Sequence, residues 1–343
     1  MRGGKFIYIF MVLICCCLTA QQSLGQNPVF SQFYASPLSI NPAFAGNGDA
    51  DWRIMGIRRS QWIGAGVDPL NTTSLSLDGK IYRQKNNEQN YIGAGVLFLQ
   101  DKGLGGAYNC NSFNFAISSH VSLDEDDRHG LSAGLGGTYS NTLIDYSQLS
   151  FGQQLSSSGF NRVLPTNEMY ISDVKPYYSA FAGVTYTYRT ETSSFDIGLA
   201  GYRFISSSQT ALQDKNQQNP PRYNIHANYQ AFINAGLVFN ANALYVVENH
   251  NDIYSAGVNF GKILGSAGEE EQPTILNFGL WYRQTDAVIP YLGLSYKNMQ
   301  GGLSYDVNAS SSKSSLGPLQ TFEFSLIFRS PQKRANPIPC PWK

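Results

Sequence analysis

Hydrophobic and polar residues alternate near the end of the chain. In the segment 321–329, Phe322, Phe324, Leu326 and Phe328 share one face, whereas Thr321, Glu323, Ser325 and Arg329 share the other. Successive side chains of a β-strand point to opposite faces, so the segment predicts a strand with one apolar and one polar face. Such a strand fits a membrane β-barrel, which is apolar outside and polar inside, and it also fits a soluble sandwich.

The same alternation recurs along most of the chain and predicts about fourteen strands. They are expected at 52–60, 71–82, 90–99, 108–123, 130–142, 177–189, 195–206, 222–231, 233–246, 252–263, 274–284, 289–297, 301–307 and 320–328. In a bacterial barrel, an even strand number places both termini on the periplasmic side, where the turns are short. The connections 124–129, 190–194 and 298–300 are short, those at 143–176, 207–221 and 308–319 are long, and 265–273 is a long exception. We therefore predict an all-β fold, a transmembrane antiparallel β-barrel with both termini periplasmic.

Composition favours the membrane barrel over a soluble sandwich. Charged residues make up only 14% of the chain and aromatic residues 13%, whereas a typical soluble domain is about 25% charged. After the N-terminal segment, no run of about 18 apolar residues predicts a membrane helix. The formal net charge is zero, so charge gives no reason to expect a nucleic-acid partner.

Residues 1–25 are predicted to be a secretory signal peptide. A basic start is followed by an apolar stretch at 6–18 and by small residues at 23–25, as in exported proteins. Three cysteines at 15–17 raise the alternative of a lipoprotein. A lipidated cysteine should follow a small residue, however, and Ile14 precedes Cys15, so we favour ordinary export.

The rest of the chain divides into three parts. Residues 26–50 contain three prolines and several aromatic residues, and such a segment cannot form a central strand. It is expected either at the periplasmic mouth or as an inner plug, and a disordered leader is the simplest alternative. Residues 51–330 are predicted to form the barrel, and 331–343, with four further prolines, a periplasmic tail.

No catalytic or metal-binding pattern is evident in the sequence. The four histidines, His120, His129, His226 and His250, lack metalloprotease spacing, and no Gly-x-Ser-x-Gly elbow is present. Cys110 and Cys340 form neither a disulfide framework nor a zinc motif. The acidic run 124–127 lacks the glycine and the final glutamate of an EF-hand loop, so it is most simply a solvated turn. We expect no enzymatic activity, no cofactor and no metal site.

Several arginines fall within the predicted strands, where facing lipid at mid-depth would cost roughly 2–4 kcal/mol each. Most should therefore point into the lumen or lie at an interface: Arg53, Arg58, Arg59, Arg203, Arg222 and Arg283. Acidic partners inside the barrel would be Asp196, Asp286, Asp306 or Glu323. These charges either hold a hydrated interior together or anchor a plug or a partner segment.

Short motifs along the whole predicted mature chain are similar to those of one family. They lie at 28–34, 37–38, 40–46, 59–64, 151–154, 159–160, 165, 221–227, 279–283, 286–287, 292–293, 302–306, 308, 310 and 340–341. In these motifs the chain resembles the PorP/SprF family of outer-membrane proteins of the type IX secretion and gliding machinery in Bacteroidota. It departs from the family at Asn228, where a glycine is usual, and matches it loosely over 231–248.

The resemblance implies a non-enzymatic outer-membrane component that receives or anchors a secreted surface protein, such as an adhesin, through that protein's C-terminal domain. The implied partners are this secreted protein, a periplasmic type IX or peptidoglycan-linked lipoprotein and outer-membrane lipids. Candidate lumen or partner-binding residues are Arg59, Gln61, Trp62, Arg222, His226, Trp281, Arg283, Asp286, Tyr305 and Asp306, with Phe33, Tyr34, Asn41, Pro42 and Phe44 in the N-terminal segment. The alternative is a porin or small-solute channel lined by the arginines and acids.

Overall fold

The computed structural model describes residues 28–64, 66, 68–84, 87–157, 159–161, 163–165, 174–206, 220–249, 251–264, 273–284, 286–308 and 320–331. Within them, fourteen antiparallel strands close into a barrel in chain order, with β16 pairing to β1. The strands are β1 (Trp52–Ile63), β2 (Leu70–Gln84), β3 (Asn87–Gly103), β4 (Tyr108–Ser122), β5 (His129–Ile144), the separate two-residue strands β6 (Leu155–Ser156) and β7 (Gly159–Phe160), β8 (Tyr177–Arg189), β9 (Ser193–Ser206), β10 (Arg222–Asn234), β11 (Leu237–Glu248), β12 (Asn251–Leu264), β13 (Thr274–Arg283), β14 (Ala287–Tyr296), β15 (Met299–Asn308) and β16 (Gln320–Arg329).

The predicted barrel is confirmed, and each of its strands lies close to its expected place. The largest shift of a strand start is at β11, which begins at Leu237 because β10 continues to Asn234. The Asn234 side chain accepts the main-chain N–H of Gly236 at 2.9 Å, which places the turn after the predicted position. Side-chain hydrogen bonds of this kind fix turns, and hydrophobic alternation does not reveal them.

Both barrel termini lie at one end, which we call the lower end. There Arg53 of β1 lies opposite Arg329 of β16. The turns between β4 and β5, between β8 and β9 and between β14 and β15 are short at this end, as expected. The connection between β12 and β13 is the long exception at this end, and the other long connections lead from the upper end. Two upper connections, between β11 and β12 and between β13 and β14, are short as well. Loop length therefore follows the predicted parity only in part.

The two faces of the barrel follow the alternation of the sequence. On β16, Phe322 and Phe324 are exposed on the outside, whereas Glu323 and Ser325 are buried inside. Most of the arginines also lie as expected, since Arg53, Arg59, Arg203, Arg222 and Arg283 are buried in the lumen. Arg58 is the exception: it is exposed near the upper end of β1, where it donates to Thr73 at 3.2 Å and to Asn71 at 3.4 Å.

Residues 28–50, which we call the plug, lie inside the barrel. Three short 3-10 turns, at Phe33–Ala35, Pro37–Ser39 and Pro42–Phe44, shape it. Proline begins two of these turns because it presets the backbone and needs no hydrogen-bond partner for its nitrogen. Apart from four half-buried positions, all plug residues are buried. Among the described residues, no helix is long and apolar enough to cross a membrane.

Candidate functional site in the barrel lumen

The plug runs along the lumen from the upper part of the barrel to its lower end. Residues 29–32 contact Arg59, Arg283, Asp306 and Glu323, which lie towards the upper ends of their strands. At the other end of the plug, Gly46 contacts Asp78 in the lower part of β2. The chain therefore descends through the lumen before it enters β1 at the lower end.

Glu323 is the centre of the upper contacts. One of its carboxylate oxygens accepts the main-chain N–H of Ser31 at 2.7 Å, and the other accepts that of Gln32 at 2.8 Å. The Gln32 side chain adds a bond to Ser304 at 3.0 Å and accepts from Ser325 at 2.6 Å. Hydrogen bonds to an ionised group are stronger than neutral ones, so Glu323 holds this turn of the plug by its backbone.

Two arginines complete this group of charges. Arg59 lies 3.3 Å from Glu323 and 3.6 Å from Asp306, and it donates to the main-chain carbonyl of Val29. Arg283 bridges Asp286 and Asp306 at 2.5 Å each and donates to the Ser31 hydroxyl at 3.0 Å. We call Arg59, Arg283, Asp306 and Glu323 the upper latch. Its buried charges are paired with one another and with the plug.

Asn41 anchors the middle of the plug. Its amide nitrogen lies within hydrogen-bond distance of the Val184 carbonyl at 3.0 Å, the Thr185 hydroxyl at 3.1 Å, the Leu199 carbonyl at 3.2 Å and His226 Nε2 at 3.0 Å. Its amide oxygen accepts the main-chain N–H of Ala43 at 2.9 Å. This one side chain therefore caps the start of the turn Pro42–Phe44 and joins it to strands β8, β9 and β10.

In the lower part of the plug, wall side chains bind chiefly main-chain carbonyl groups. Arg53 donates to the Phe44 carbonyl at 2.9 Å, and Ser118 donates to the Ala45 carbonyl at 2.6 Å. His120 lies 2.9 Å from the same carbonyl. Arg53 also pairs with Asp78 at 2.9 Å, so this charge is balanced within the wall.

Glycines of the wall let the plug backbone approach closely. A Cβ atom at Gly93 would lie 2.1 Å from the Ala45 carbonyl oxygen, and one at Gly134 would lie 2.4 Å from the carbonyl carbon of Pro42. At Gly183 it would lie 2.2 Å from the Asn41 amide oxygen. Real Cβ atoms do not come so near to backbone, because interiors are close-packed and resist added atoms. We call Gly93, Gly134 and Gly183 with Ser118 and His120 the lower seat.

Little space remains beside the plug on the β9–β10 side. A cavity of about 30 Å³ lies there, lined by residues that include Phe44, Asp196 and His226. This is room for one or two water molecules. Towards β13 and β14, Tyr34 packs against Trp281 and Tyr291, with ring centroids 5.7 and 5.9 Å apart.

The structure brings most of the predicted site residues into the lumen. Buried there are Arg59, Arg222, His226, Trp281, Arg283 and Asp306, together with Phe33, Tyr34, Asn41, Pro42 and Phe44 of the plug. Asp286 is half-exposed beside Arg283 at the upper mouth. Gln61 is half-buried at the upper end of β1, where the register with β16 shifts. Two candidates lie elsewhere.

Trp62 and Tyr305 lie outside the group around the plug. Trp62 is exposed at the end of β1 with a left-handed backbone of φ 64°. Tyr305 faces outward from β15, and its ring lies 4.7 Å from that of Phe322. Odd-numbered residues of β15 face outward, and Tyr305 is one of them, so alternation alone could have excluded it from the lumen.

Several residues that hold the plug were not predicted from the sequence. Glu323 was expected to pair with arginine, but nothing in the sequence indicated that it binds main-chain amides of the plug. The glycines of the lower seat did carry a signal, because glycine within a strand often marks a close backbone approach. Among the residues described, no group of three or more potential ligands could hold a metal ion.

Comparisons with known proteins agree with this architecture. A family model described as type IX secretion system membrane protein PorP/SprF matches residues 22–328. A search of curated proteins gives no match.

Solved structures with a similar fold are membrane barrels. The CymD monoaromatic hydrocarbon channel is 11% identical with a TM-score of 0.50, and the match covers 90% of this chain and 95% of that one. The toluene transporter TodX of Pseudomonas putida is 8% identical with a TM-score of 0.47, covering 90% and 98%. A FadL homologue of Pseudomonas aeruginosa is 10% identical with a TM-score of 0.46, covering 84% and 92%. The likeness to CymD shows a common fold.

Proposed function

Because the chain belongs to the PorP/SprF family of type IX secretion system membrane proteins, we propose that it is a non-enzymatic outer-membrane component that receives or anchors a secreted surface protein. Its client would be an adhesin-like protein held through its C-terminal domain. On the inner side of the membrane, the barrel would couple this client to a periplasmic or peptidoglycan-linked lipoprotein of the type IX machinery.

The observation that carries this proposal is the filled lumen. Residues 28–50 occupy it along its length, and their polar groups are bound to the wall from the upper latch to the lower seat. A porin needs an open aqueous path lined by its charged residues. Here those charges bind one another and the plug, which favours a docking role over solute passage.

The upper end offers a surface on which a client could dock. The connection between β5 and β8 carries the hairpin β6–β7, where Leu155 and Phe160 are paired and exposed. Val163 follows and is 92% exposed. Exposed apolar groups clustered on a loop are typical of protein contact sites. The even number of strands supports placing this end at the cell surface and the barrel termini in the periplasm.

Purification of the tagged barrel from its native outer membrane tests the proposal. We expect a large secreted protein to co-purify, and we expect Val163→Asp to reduce its amount at least tenfold. Thr192→Asp is the matched control, because Thr192 is nearly isosteric with valine and exposed in the lower turn between β8 and β9. This control should retain the client.

Planar-bilayer recording separates the proposal from the porin alternative. The purified barrel alone should give no steady, ion-selective conductance. Such a conductance, combined with secreted adhesins that stay attached after deletion of the gene, would overturn the anchoring role in favour of a channel.

A further inference from the structure

The lumen wall recognises the plug through its main chain as well as through the side chains of Ser31, Gln32, Ser36 and Asn41. Wall side chains bind main-chain groups along its whole length, namely the carbonyls of Val29, Leu38, Ile40, Phe44 and Ala45 and the N–H groups of Ser31, Gln32 and Gly46. Every polypeptide carries these groups. Main-chain hydrogen bonds therefore give affinity with little dependence on sequence, whereas side-chain pockets give specificity.

The wall is also shaped for a backbone. Gly93 and Gly134 leave a track just deep enough for the main chain of residues 42–45, and Gly183 leaves room for the Asn41 side chain. Within the described residues, no barrel strand pairs with the plug in a β-ladder. Removing the plug would thus leave the hydrogen-bonded sheet of the barrel intact.

Part of the wall has binding capacity that the plug does not use. Asn240 of β11 is fully buried, yet neither polar atom of its side chain has a hydrogen-bond partner among the described residues. The same holds for the amide nitrogen of Asn242 and the amide oxygen of Asn259, and Asn240 lies directly opposite Asn259 on the neighbouring strand. Buried polar groups normally find hydrogen-bond partners. Each of these side-chain amides can donate to a peptide C=O group and accept from a peptide N–H group.

We infer that the lumen is a binding groove for a polypeptide main chain, which the plug occupies at rest and which an extended segment of the secreted partner takes over. This inference rests on the proposed function, because it names where the client is held. The amides of β11 and β12 would then receive main-chain groups that the plug leaves unbound.

The upper latch would couple opening to the arrival of the client. If the plug left without a replacement, Glu323 and Asp306 would lose the hydrogen bonds of Ser31 and Gln32. Hydrogen bonds to an ionised group are stronger than neutral ones. An incoming segment that supplies equivalent donors avoids this loss, so exchange is favoured over spontaneous opening.

A disulfide between plug and wall provides the test. The hydroxyl oxygens of Ser36 and Ser74 lie 3.0 Å apart, so the double variant Ser36→Cys, Ser74→Cys should lock the plug to β2. Ser112→Cys, Ser140→Cys is the matched control, since these hydroxyls are 2.8 Å apart but both belong to the wall. Both pairs are made with Cys110 and Cys340 replaced by serine.

Each form is purified from native outer membrane, and the bound secreted protein is measured. We expect the oxidised lock to retain at least tenfold less of it than the reduced lock or the oxidised control. Equal retention by the oxidised and reduced lock would overturn the inference and leave the proposed function standing. If no secreted protein binds even to the unmodified barrel, both fail.

A second measurement avoids dependence on the disulfide. Ser36 is fully buried, so the single variant Ser36→Cys should react with a membrane-impermeant maleimide only when the plug has left the lumen. Labelling should rise at least fivefold in outer membranes that contain the co-purifying client, compared with membranes from a strain that lacks it. Equal, low labelling in both would contradict plug exchange.

Discussion

The upper latch and the lower seat hold the same short segment by different means. In the latch, ionised side chains bind Ser31 and Gln32 at 2.7 to 3.0 Å. In the seat, glycines remove side-chain volume, and the neutral donors Ser118 and His120 meet the Ala45 carbonyl. The latch depends on charge balance, which another ligand could restore. The seat depends on shape, which tolerates no added atom.

The largest expected effect is the loss of one charge from the latch. Glu323→Gln would leave Arg59 without its partner at 3.3 Å, and an amide has only one oxygen for the two N–H groups that Glu323 binds. Breaking a buried ion pair from one side costs about 3–5 kcal/mol. Urea unfolding of the barrel in detergent micelles should show a decrease of this size.

The control for this variant is an exposed ion pair. Asp126 lies 3.5 Å from Arg128, and both side chains are more than half exposed. Asp126→Asn should therefore change the free energy of unfolding by about 0.5 kcal/mol or less. A similar loss for both variants would show that burial does not strengthen the latch.

The lower seat should respond to one added methyl group. In Gly93→Ala, the new Cβ atom would meet the carbonyl oxygen and carbon of Ala45 at 2.1 and 2.7 Å. These are backbone atoms, which cannot move away by a change of rotamer. Such overpacking costs about 1–3 kcal/mol. We expect that decrease in unfolding free energy, together with faster proteolysis of the plug.

Gly301→Ala is the matched substitution for the seat. A Cβ atom there would meet no other atom within 4 Å, so its unfolding free energy should stay within about 0.5 kcal/mol of the unmodified barrel, as for substitutions away from such features. Equal effects at Gly93 and Gly301 would mean that the loss comes from the strand and not from the contact with the plug.

The sequence predicts the strands of the barrel wall far better than the contacts of the plug inside it. Alternation sets which residues of a strand such as β16 face outward, because a period of two is built into the backbone. The even number of strands follows from the same pattern. Residue type is a poorer guide than position. Tyr305 was a candidate lumen or partner-binding residue, but its odd-numbered position in β15 places it on the outer face.

The contacts of the plug follow no such period. Ser31 and Glu323 are 292 positions apart, and Asn41 meets three different strands. Three-dimensional contacts of irregular segments depend on the closed barrel and leave no local signal. The prolines of residues 26–50 excluded a central strand and left the periplasmic mouth, the lumen and a disordered leader as alternatives. Only the composition of the wall, with glycine at Gly93, Gly134 and Gly183, indicated an approaching backbone.

The smallest effect is expected at Asp124, a partly exposed carboxylate that accepts two main-chain N–H groups as Glu323 does in the upper latch. Its carboxylate accepts the main-chain N–H groups of His129 at 2.7 Å and Arg128 at 3.1 Å, much as Glu323 accepts those of Ser31 and Gln32. The hydrogen bond from His129 lowers the pKa of Asp124. A carboxylate with a lowered pKa stabilises the fold above its unfolded pKa, near about 3.9, and this stabilisation disappears as the pH falls through the folded value. Asp124→Asn should therefore lower the urea midpoint slightly at pH 7 and not at all once the pH lies below the lowered pKa. A difference that persists in acid would show that the carboxylate acts through shape, as in the lower seat, and not through charge.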